Sequence, residues 1–417
     1  MRLLVVGSGA REHAIVWKLS ISPKKPEIFV APGNAGTGAL AINVPIALDD
    51  IDKLILFAKE NDIDLTVVGP EIPLVNGIVD RFQNEGLRIF GPSQKAARIE
   101  GSKSFSKEIM RAANAPTAPF MVFDNYSDAR KYVLEHGAPI VIKADGLAAG
   151  KGVVVAQSID DALEALHNMM IENIFGFSGH RVVIEDCLSG PEVSVFCFSD
   201  GKNTSSLVAA CDYKRAYDGN EGPNTGGMGG YSPPPWWSHN LEQEIKETCI
   251  QPVIDQLALD GSPYIGVLYG GLMLTEQGPS IIEFNARLGD PEAEFILPRL
   301  ENDLIDVIDA VLDGNLENLQ LRWENDFVVG VVIASGGYPG TYQTGYIIEG
   351  SNEKSDDGMI FHAGTQLRDG VISTAGGRVL TAIGKAATME GARASAYKLV
   401  RSVKFTGKEF RTDIAQF

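Results

Sequence analysis

The sequence predicts a multidomain protein of mixed α/β and α+β class, with an N-terminal doubly wound parallel sheet and a β-rich C-terminal domain. Three observations lead to this prediction. Short apolar runs alternate with helical patterns over the first hundred residues, a small α+β unit surrounds a glycine-rich loop, and strand-like runs dominate from Asp326 onward. Strand–helix alternation is typical of a parallel sheet with helices on both faces.

Changes in these patterns set the predicted domain boundaries. Residues 1–101 form an N-terminal α/β domain for a substrate phosphate, 102–325 a nucleotide-binding region, and 326–417 the β-rich domain. The middle region divides into a mobile flap subdomain, residues 117–188, and a central catalytic body, residues 189–325.

The N-terminal strands end in polar turns. RLLVVGSG, EIFVAPGN and DLTVVGPE read as strands, so GSGAREH, APGNAGT and GPEIPL fall at the carboxyl edge of the sheet, where ligands bind. Gly7 and Gly9 begin a dinucleotide pattern, but Glu12 replaces its third glycine and no acidic residue ends the second strand. We therefore expect a single sugar phosphate at this helix N-terminus, with Arg11 adding charge, rather than a nicotinamide cofactor.

The stretch PIVIKADGLAAGKGVVVA joins two predicted strands through a loop of small residues between Lys143 and Lys151. It is not a Walker A loop, because Lys151 precedes Gly152 and a strand instead of Ser or Thr and a helix. Glycines let backbone N–H groups turn toward phosphate oxygens. With a single lysine, a glycine-rich surface hairpin would be the better interpretation of this stretch. Because two lysines flank the same loop, we predict that the loop binds phosphate.

Two further stretches are unusually polar. RVVIEDCLSGPEVSV ends a buried strand at Glu185, with Glu192 beyond a Gly-Pro turn. Two interpretations of this stretch remain open: a site for the adenine and ribose of a nucleotide, or an acidic turn between two strands. ACDYKRAYDGNEGPNTGGMGGYSP is predicted to be a long loop, which is either functional or a surface loop.

The run SIIEFNARLGDPEAE carries the strongest chemical signal. On a strand, Glu283 and Asn285 leave the same face, and Arg287 continues that face. A carboxylate and an amide oxygen are ligands suited to Mg²⁺ shared with phosphates. A guanidinium beside them would neutralise charge on a transferring phosphoryl group. Because the intervening residues are apolar and buried polar groups are costly, this pattern favours function, although a Glu283–Arg287 ion pair is an alternative.

Composition excludes several classes of partner. The net charge of −18 argues against nucleic acid and anionic membranes, and no apolar run is long enough to cross a bilayer. Four cysteines without a CxxC pair indicate reduced thiols and no zinc site. The N-terminal MRLLVVGSGA lacks a basic region followed by a sustained apolar stretch, so we do not expect it to be a signal peptide. We expect a cytoplasmic monomer that acts on small molecules.

Taken in order, the motifs resemble a known family. GSKSFSKEIM, IKADGLAAGKGVVV, EDCL and EFNARLGDPE resemble the ATP-grasp ligases, and GAREHA, APGNAGT, GPNTGGMGGYSP and RLGDPEAE narrow this to the phosphoribosylamine–glycine ligases, over essentially the whole chain. The resemblance implies ATP-grasp central and flap domains and the second step of de novo purine synthesis. Glycine, 5-phosphoribosylamine and ATP would yield the ribonucleotide amide, ADP and phosphate through glycyl phosphate, with Mg²⁺ or Mn²⁺ and transient contacts with neighbouring purine-pathway enzymes.

The resemblance also implies residue roles. ATP would contact a set that includes both lysines of the flap: Lys103, Lys143, Gly146, Gly150, Lys151, Gly152, Glu185, Leu188 and Glu192. The metal would bind Glu283 and Asn285, and Arg287 with Lys143 would be catalytic. The substrates would contact residues from three regions: Gly9, Arg11, Glu12, His13, Asn34, Glu71, Asp212, Lys214, Arg215, Thr225, Asp290 and Pro291.

The sequence departs from this pattern at two places. VLYGGLML lacks the extra metal-binding carboxylate of many ATP-grasp enzymes, and Tyr213 stands where relatives often have His. The alternatives are another ATP-grasp carboxylate–amine ligase, a nicotinamide-dependent oxidoreductase and a non-catalytic nucleotide sensor.

Overall fold

Five parallel strands form the N-terminal sheet of the computed structural model, which describes residues 1–147, 152–174, 176–352 and 357–417. The strands are β1 (Arg2–Gly7), β2 (Glu27–Pro32), β3 (Ile42–Asn43), β4 (Leu65–Val68) and β5 (Ile89–Phe90), in the order β3-β2-β1-β4-β5. The accompanying helices are α1 (Ala10–Ser20), α2 (Ile51–Glu60), α3 (Glu71–Val75), α4 (Ile78–Asn84), α5 (Gln94–Gly101) and α6 (Lys103–Ala112).

Helices cover both faces of this sheet. Alternate residues of β1 enter different cores, since Leu4 packs in the core that contains α2 and Leu3 packs in the core that contains α1. The predicted doubly wound sheet is therefore confirmed. Ser102 is the N-cap of α6, because its side chain accepts a hydrogen bond from Phe105 N at 3.2 Å.

A four-stranded antiparallel sheet with two helices forms the flap region. Its strands are β6 (Phe120–Phe123), β7 (Ile140–Ala144), β8 (Val153–Ala156) and β9 (Val182–Asp186), in the order β6-β9-β7-β8, and its helices are α7 (Tyr126–His136) and α8 (Ile159–Met170). Its small apolar core draws Ile142 and Ile184 from the sheet and Leu166 from α8. The glycine-rich stretch lies between β7 and β8, as the sequence predicts.

The remaining chain builds one long antiparallel sheet and two separate two-stranded hairpins. The strands before residue 326 are β10 (Glu192–Asp200), β11 (Val208–Asp212), β12 (Arg215–Tyr217), β13 (Glu221–Asn224), β14 (Gly229–Ser232), β15 (Ile265–Thr275) and β16 (Gly278–Asn285). The later strands are β17 (Phe327–Ser335), β18 (Gly358–His362), β19 (Thr365–Arg368), β20 (Val371–Thr374), β21 (Arg378–Ala386) and β22 (Lys408–Glu409). The order β16-β15-β10-β11-β14-β17-β21-β18 carries the sheet without interruption from the catalytic body into the β-rich end.

Five helices flank this sheet: α9 (His239–Ile245), α10 (Gln251–Leu259), α11 (Glu292–Ile296), α12 (Leu304–Leu312) and α13 (Met389–Ser402). A wider helical turn, Lys246–Ile250, joins α9 to α10. No helix in the described ranges is long and apolar enough to span a bilayer.

One prediction is wrong, because the glycine-rich stretch after Cys211 is not a long loop. It contains the β12–β13 hairpin and the strand β14, which pairs with β11 and β17. A Cβ at Gly229 would lie 2.4 Å from Gly330 O, and one at Gly230 would lie 2.2 Å from Cys211 O. Glycine here permits close approach between strands, a use that a glycine-rich composition does not reveal.

Candidate active site

Strand β16 places the predicted metal ligands at the edge of the long sheet. Glu283 pairs with Gly271 and Asn285 with Tyr269, so their side chains share one face. A bulge at Ile282 interrupts the register, and its carbonyl accepts a hydrogen bond from Lys143 Nζ at 3.0 Å. Bulges often occur beside active sites, where they redirect groups. The bulge thus ties the flap strand β7 to the strand of the metal ligands.

The Glu283 carboxylate lies among cations. Burial by itself would raise the pKa of Glu283, but Lys143, Lys214, Lys103 and Arg287 outweigh burial and lower it below its ordinary value. Glu283 is therefore ionised at neutral pH. With the Asn285 oxygen it offers two hard ligands, which suits Mg²⁺ completed by phosphates and water. No cluster of three or more His, Cys, Asp or Glu in metal-binding arrangement occurs among the described residues.

Arg287 is held by two carboxylates. Its Nε lies 3.2 Å from Glu71 Oε2 and its Nη2 lies 2.7 Å from Glu100 Oε1. Glu100 also accepts the Ala286 N–H at 2.7 Å through its other oxygen. Burial raises the pKa of Glu100 despite the opposing effect of Arg287. The alternative, a Glu283–Arg287 ion pair, is not the arrangement found, since Arg287 pairs with Glu71 and Glu100.

A buried carboxylate fixes the flap lysine. Glu185 lies 2.9 Å from Lys143 Nζ through Oε1 and 2.8 Å from Lys107 Nζ through Oε2. Lys107 also donates to Thr117 Oγ1 at 2.6 Å, and burial lowers the pKa of Lys107 to about 8. The Glu185 side chain thus positions a lysine, and its predicted contact with ATP stays a prediction.

The start of the flap loop is anchored to helix α6. Asp145 accepts hydrogen bonds from Ser104 N at 2.7 Å and from Ser102 Oγ at 3.0 Å. Lys103 Nζ donates to Gly146 O at 3.0 Å, and burial lowers the pKa of Lys103. The structure therefore brings Lys103 and the loop entrance together as predicted. Of the remaining predicted loop contacts, Gly152 begins the return to β8, while Gly150 and Lys151 lie outside the described residues.

The segment after β9 leads to a second charged group. Leu188 is half-buried, and Glu192 at the start of β10 is exposed. Lys214 Nζ lies 2.8 Å from Glu192 Oε2 and 3.9 Å from Asp212 Oδ1. Burial raises the pKa of Asp212, and Lys214 counteracts the rise. Glu192 is the predicted ribose contact, and Asp212 and Lys214 are predicted contacts of the glycine region. The three side chains thus form one cluster around the Lys214 ammonium group.

Two other predicted substrate residues shape the β12–β13 hairpin. Thr225 Oγ1 donates to Lys214 O at 2.8 Å, and Arg215 Nη1 donates to Gly222 O at 2.7 Å. Arg411 from the C-terminal tail braces the hairpin through Arg215 O at 3.1 Å. These contacts give Thr225 and Arg215 a structural role within the hairpin.

The N-terminal turn is occupied by the chain's own carboxylates. Gly9 N donates to Glu12 Oε2 at 2.6 Å, and Arg11 Nε lies 2.6 Å from Glu12 Oε1. A Cβ at Gly7 would lie 2.5 Å from the Glu12 side chain, so Glu12 fills the turn. Asp290 accepts the Arg11 N–H at 3.4 Å, just before Pro291. The turn that a dinucleotide pyrophosphate would use is already neutralised.

Asn34 and His13 are buried and hydrogen-bonded within the chain. Asn34 Nδ2 donates to His362 O at 2.7 Å and to Ser8 O at 2.9 Å, while its Oδ1 accepts the Thr37 N–H at 3.0 Å. His13 Nδ1 accepts the His362 N–H at 2.8 Å. Both residues connect the N-terminal sheet to the C-terminal strand β18, and their predicted substrate contacts stay predictions.

Four residues of the site were missed from the sequence: Glu100, Lys107, Glu292 and Arg378. Arg378 Nη2 lies 2.9 Å from Asp290 Oδ1, and its Nη1 donates to Asp290 O at 2.8 Å. Together with Arg11, Arg378 lowers the pKa of Asp290 against the effect of burial. Lys107 lies within GSKSFSKEIM and Glu292 within RLGDPEAE, so motif membership was the available signal for these two residues.

Three family models match the chain in succession. They are described as the N domain, the ATP-grasp (A) domain and the C domain of phosphoribosylglycinamide synthetase, and they match residues 1–100, 101–293 and 328–417. The chain is 50% identical over 415 residues to a phosphoribosylamine–glycine ligase of Halalkalibacterium halodurans, covering 99% of this chain and 96% of the relative. It is 47% identical over 420 residues to the phosphoribosylamine–glycine ligase of Salmonella typhimurium, and the match covers 99% of this chain and 98% of that relative.

Solved structures give the same result. The crystal structure of phosphoribosylamine–glycine ligase from Thermotoga maritima is similar with a TM-score of 0.86 and 34% identity, covering 99% of this chain and 100% of that one. The biotin carboxylase domain of Hydrogenobacter thermophilus 2-oxoglutarate carboxylase is similar in fold, with a TM-score of 0.77 and 15% identity over 98% of this chain and 91% of that one. These likenesses confirm the resemblance and the predicted fold class.

Proposed function

Because this chain belongs to the phosphoribosylglycinamide synthetase family, we propose that it ligates glycine to 5-phosphoribosylamine with ATP, in purine biosynthesis. The products are the ribonucleotide amide, ADP and phosphate. One observation carries the chemistry: three lysines and an arginine surround the ionised Glu283 carboxylate. That arrangement suits a triphosphate and a developing acyl phosphate.

The mechanism follows from the poor leaving ability of a carboxylate oxygen. Transfer of the γ-phosphoryl group to glycine makes glycyl phosphate, whose phosphate leaves when the amine attacks. The chain supplies positioning and charge. Lys103 and Lys143 would hold the phosphates, and Arg287, fixed by Glu71 and Glu100, would stabilise the transferring group.

Glu283 and Asn285 would hold Mg²⁺ or Mn²⁺, and the ion would neutralise charge on the transferring phosphoryl oxygens. Glu283 fits this role because its carboxylate is ionised and lies on the same face as the Asn285 amide. The flanking lysines then bind the remaining phosphate charge.

The remaining site residues are proposed to serve the three substrates. Backbone groups near Leu188 would face adenine, and Glu192 the ribose. The Asp212–Lys214 cluster would line the glycine region. The region beside the Gly9 turn, with Asp290 and Arg378, would receive the phosphoribosyl part, because Glu12 already fills the turn itself. We also propose residues 1–101, 102–325 and 326–417 as domains, the last two sharing one sheet.

The intermediate is tested by isotope transfer. Glycine labelled with ¹⁸O in its carboxylate should transfer one label to the released phosphate, because the carboxylate oxygen becomes the bridging oxygen of glycyl phosphate. Glu283→Ala should abolish ADP release at ordinary magnesium concentrations, and Glu276→Ala, which alters an exposed residue of the β15–β16 turn, is the matched control. Phosphate free of label, or an unimpaired Glu283→Ala, would contradict the proposal.

A further inference from the structure

The ligation proposed above leaves a proton to be removed, and this inference rests on that proposed function. When the neutral amine of phosphoribosylamine attacks the glycyl carbonyl carbon, the N–C bond forms and the C–O bond to phosphate breaks. The amine nitrogen then carries a proton that the amide product lacks. Some group near the attacking nitrogen must accept that proton for the atoms to balance.

Most carboxylates of the site are paired with cations. Glu71 and Glu100 hold Arg287, and Asp290 holds Arg378. Glu185 lies between two lysines, and Glu192 pairs with Lys214. An adjacent cation favours the ionised form and so weakens the carboxylate as a proton acceptor. None of these groups is arranged to take a proton and return it.

Glu292 has a different environment. It is the first residue of α11 and is 3% exposed. Its Oε1 accepts a hydrogen bond from Ser194 Oγ at 3.4 Å. The Tyr269 hydroxyl group lies 2.9 Å from Ser194 Oγ and also hydrogen-bonds to the Glu292 carboxylate. Its direct side-chain partners are thus hydroxyl groups, which can follow a change in its protonation by rotating.

The surroundings place Glu292 between the two substrate regions. Tyr269 lies opposite Asn285 in the β15–β16 pair. The groups that interact with Glu292 electrostatically come from both the glycine cluster and the phosphoribosyl turn: Asp212, Lys214, Tyr269, Arg287, Glu294 and Arg378. The carbonyl carbon and the amine must meet between these same regions.

We propose that Glu292 is the general base of the amide-forming step and accepts the proton from the attacking amine nitrogen. The carboxylate becomes a carboxylic acid as the phosphate leaves with the C–O bonding electrons, and the proton passes to solvent or phosphate on product release. Burial, and then Asp212, raise the pKa of Glu292 to about 7. A base with a pKa near the working pH combines availability with proton affinity.

The test separates activation of glycine from attack by the amine. Glu292→Gln keeps the shape of the side chain and an acceptor for Ser194, but it cannot take a proton. Its rate of ribonucleotide amide formation should fall ~10²–10⁴-fold. Trapping with hydroxylamine should still yield glycyl hydroxamate at close to the wild-type rate, because excess hydroxylamine removes its own proton. Glu292→Asp should recover part of the amide-forming rate.

The pH profile and a control variant complete the experiment. Wild-type amide formation should rise with pH to a plateau above about 7, and Glu292→Gln should lose this ionisation. Glu276→Gln, at an exposed position of the β15–β16 turn, is the control. It should keep wild-type turnover.

Two outcomes would overturn the base role. One is a Glu292→Gln variant that forms amide at the wild-type rate, and the other is a parallel loss of amide and hydroxamate. A wild-type enzyme that forms no glycyl hydroxamate would instead refute the ligation itself, and the base role with it.

Discussion

Glu100 offers a sharp test of how the site is positioned, because it joins α5 to Arg287 across the interior. Its side chain is 7% exposed and makes two hydrogen bonds of 2.7 Å, to Arg287 Nη2 and to Ala286 N. In Glu100→Gln the amide oxygen can accept a hydrogen bond from only one of these two N–H donors. The amide nitrogen, which is itself a donor, must then lie against the other N–H donor. We expect that mismatch to remove one charge-assisted hydrogen bond.

The loss of this one hydrogen bond sets the expected decrease in the free energy of unfolding. A hydrogen bond to a charged group contributes about 1.5–3 kcal/mol, so the urea transition of the variant should reflect a loss of that size. Arg287 would retain Glu71 at 3.2 Å and shift toward it. Because a displacement of about 1 Å can reduce a rate about 100-fold, kcat should fall by up to that factor while KM for ATP changes little.

The assay pairs urea unfolding with coupled ADP release. Glu60→Gln, an exposed acid on α2, is the control and should change the free energy of unfolding by less than about 0.5 kcal/mol. A Glu100→Gln variant that matches this control in both stability and kcat would refute the positioning argument.

The remaining predictions concern buried groups farther from the chemistry. Asn34→Ala should lower the free energy of unfolding by roughly 3–5 kcal/mol, because it strands several buried backbone groups, and Asn34→Asp should recover part of this by restoring the acceptor; an unchanged urea transition would contradict this. Burial holds the pKa of His362 at about 4, below ~6.5 in the unfolded chain. Between these values only the unfolded chain binds the proton, so stability should fall by about 2 kcal/mol from pH 7 to pH 5, and His362→Gln should flatten that part of the profile. Arg411, which is 1% exposed and lies 4.7 Å above the Tyr213 ring, braces the β12–β13 hairpin. Arg411→Met should destabilise the protein by about 3–5 kcal/mol, and a wild-type melting temperature would count against this.

The sequence predicts what depends on local periodicity. The alternation around Phe284 correctly placed Glu283 and Asn285 on one face, and strand–helix alternation gave the parallel sheet. Contacts between distant positions were not accessible in this way. Glu100 lies 187 positions before its partner Arg287, and no short-range pattern signals such a pair.

Residue type alone does not tell a binding turn from a structural one. The family resemblance predicts that Arg11 and Asn34 contact substrate, and this stays a prediction. In the structure, Arg11 pairs with Glu12, and the Asn34 amide is hydrogen-bonded within the chain. A turn that must join two domains needs buried hydrogen bonds for the same reason that a binding turn does, so the two uses share one composition.

The ion pairs of the site suggest how a strongly acidic chain can bind a polyanion. Lys143 is paired with Glu185, and Arg287 with Glu71 and Glu100. Each carboxylate lowers the cost of holding a cation away from water before the nucleotide arrives. Arriving phosphate oxygens then find cations already oriented, with little side-chain reorganisation left to oppose binding. The carboxylates of the site, which add to the net charge of −18, therefore favour phosphate binding locally by fixing the positive groups.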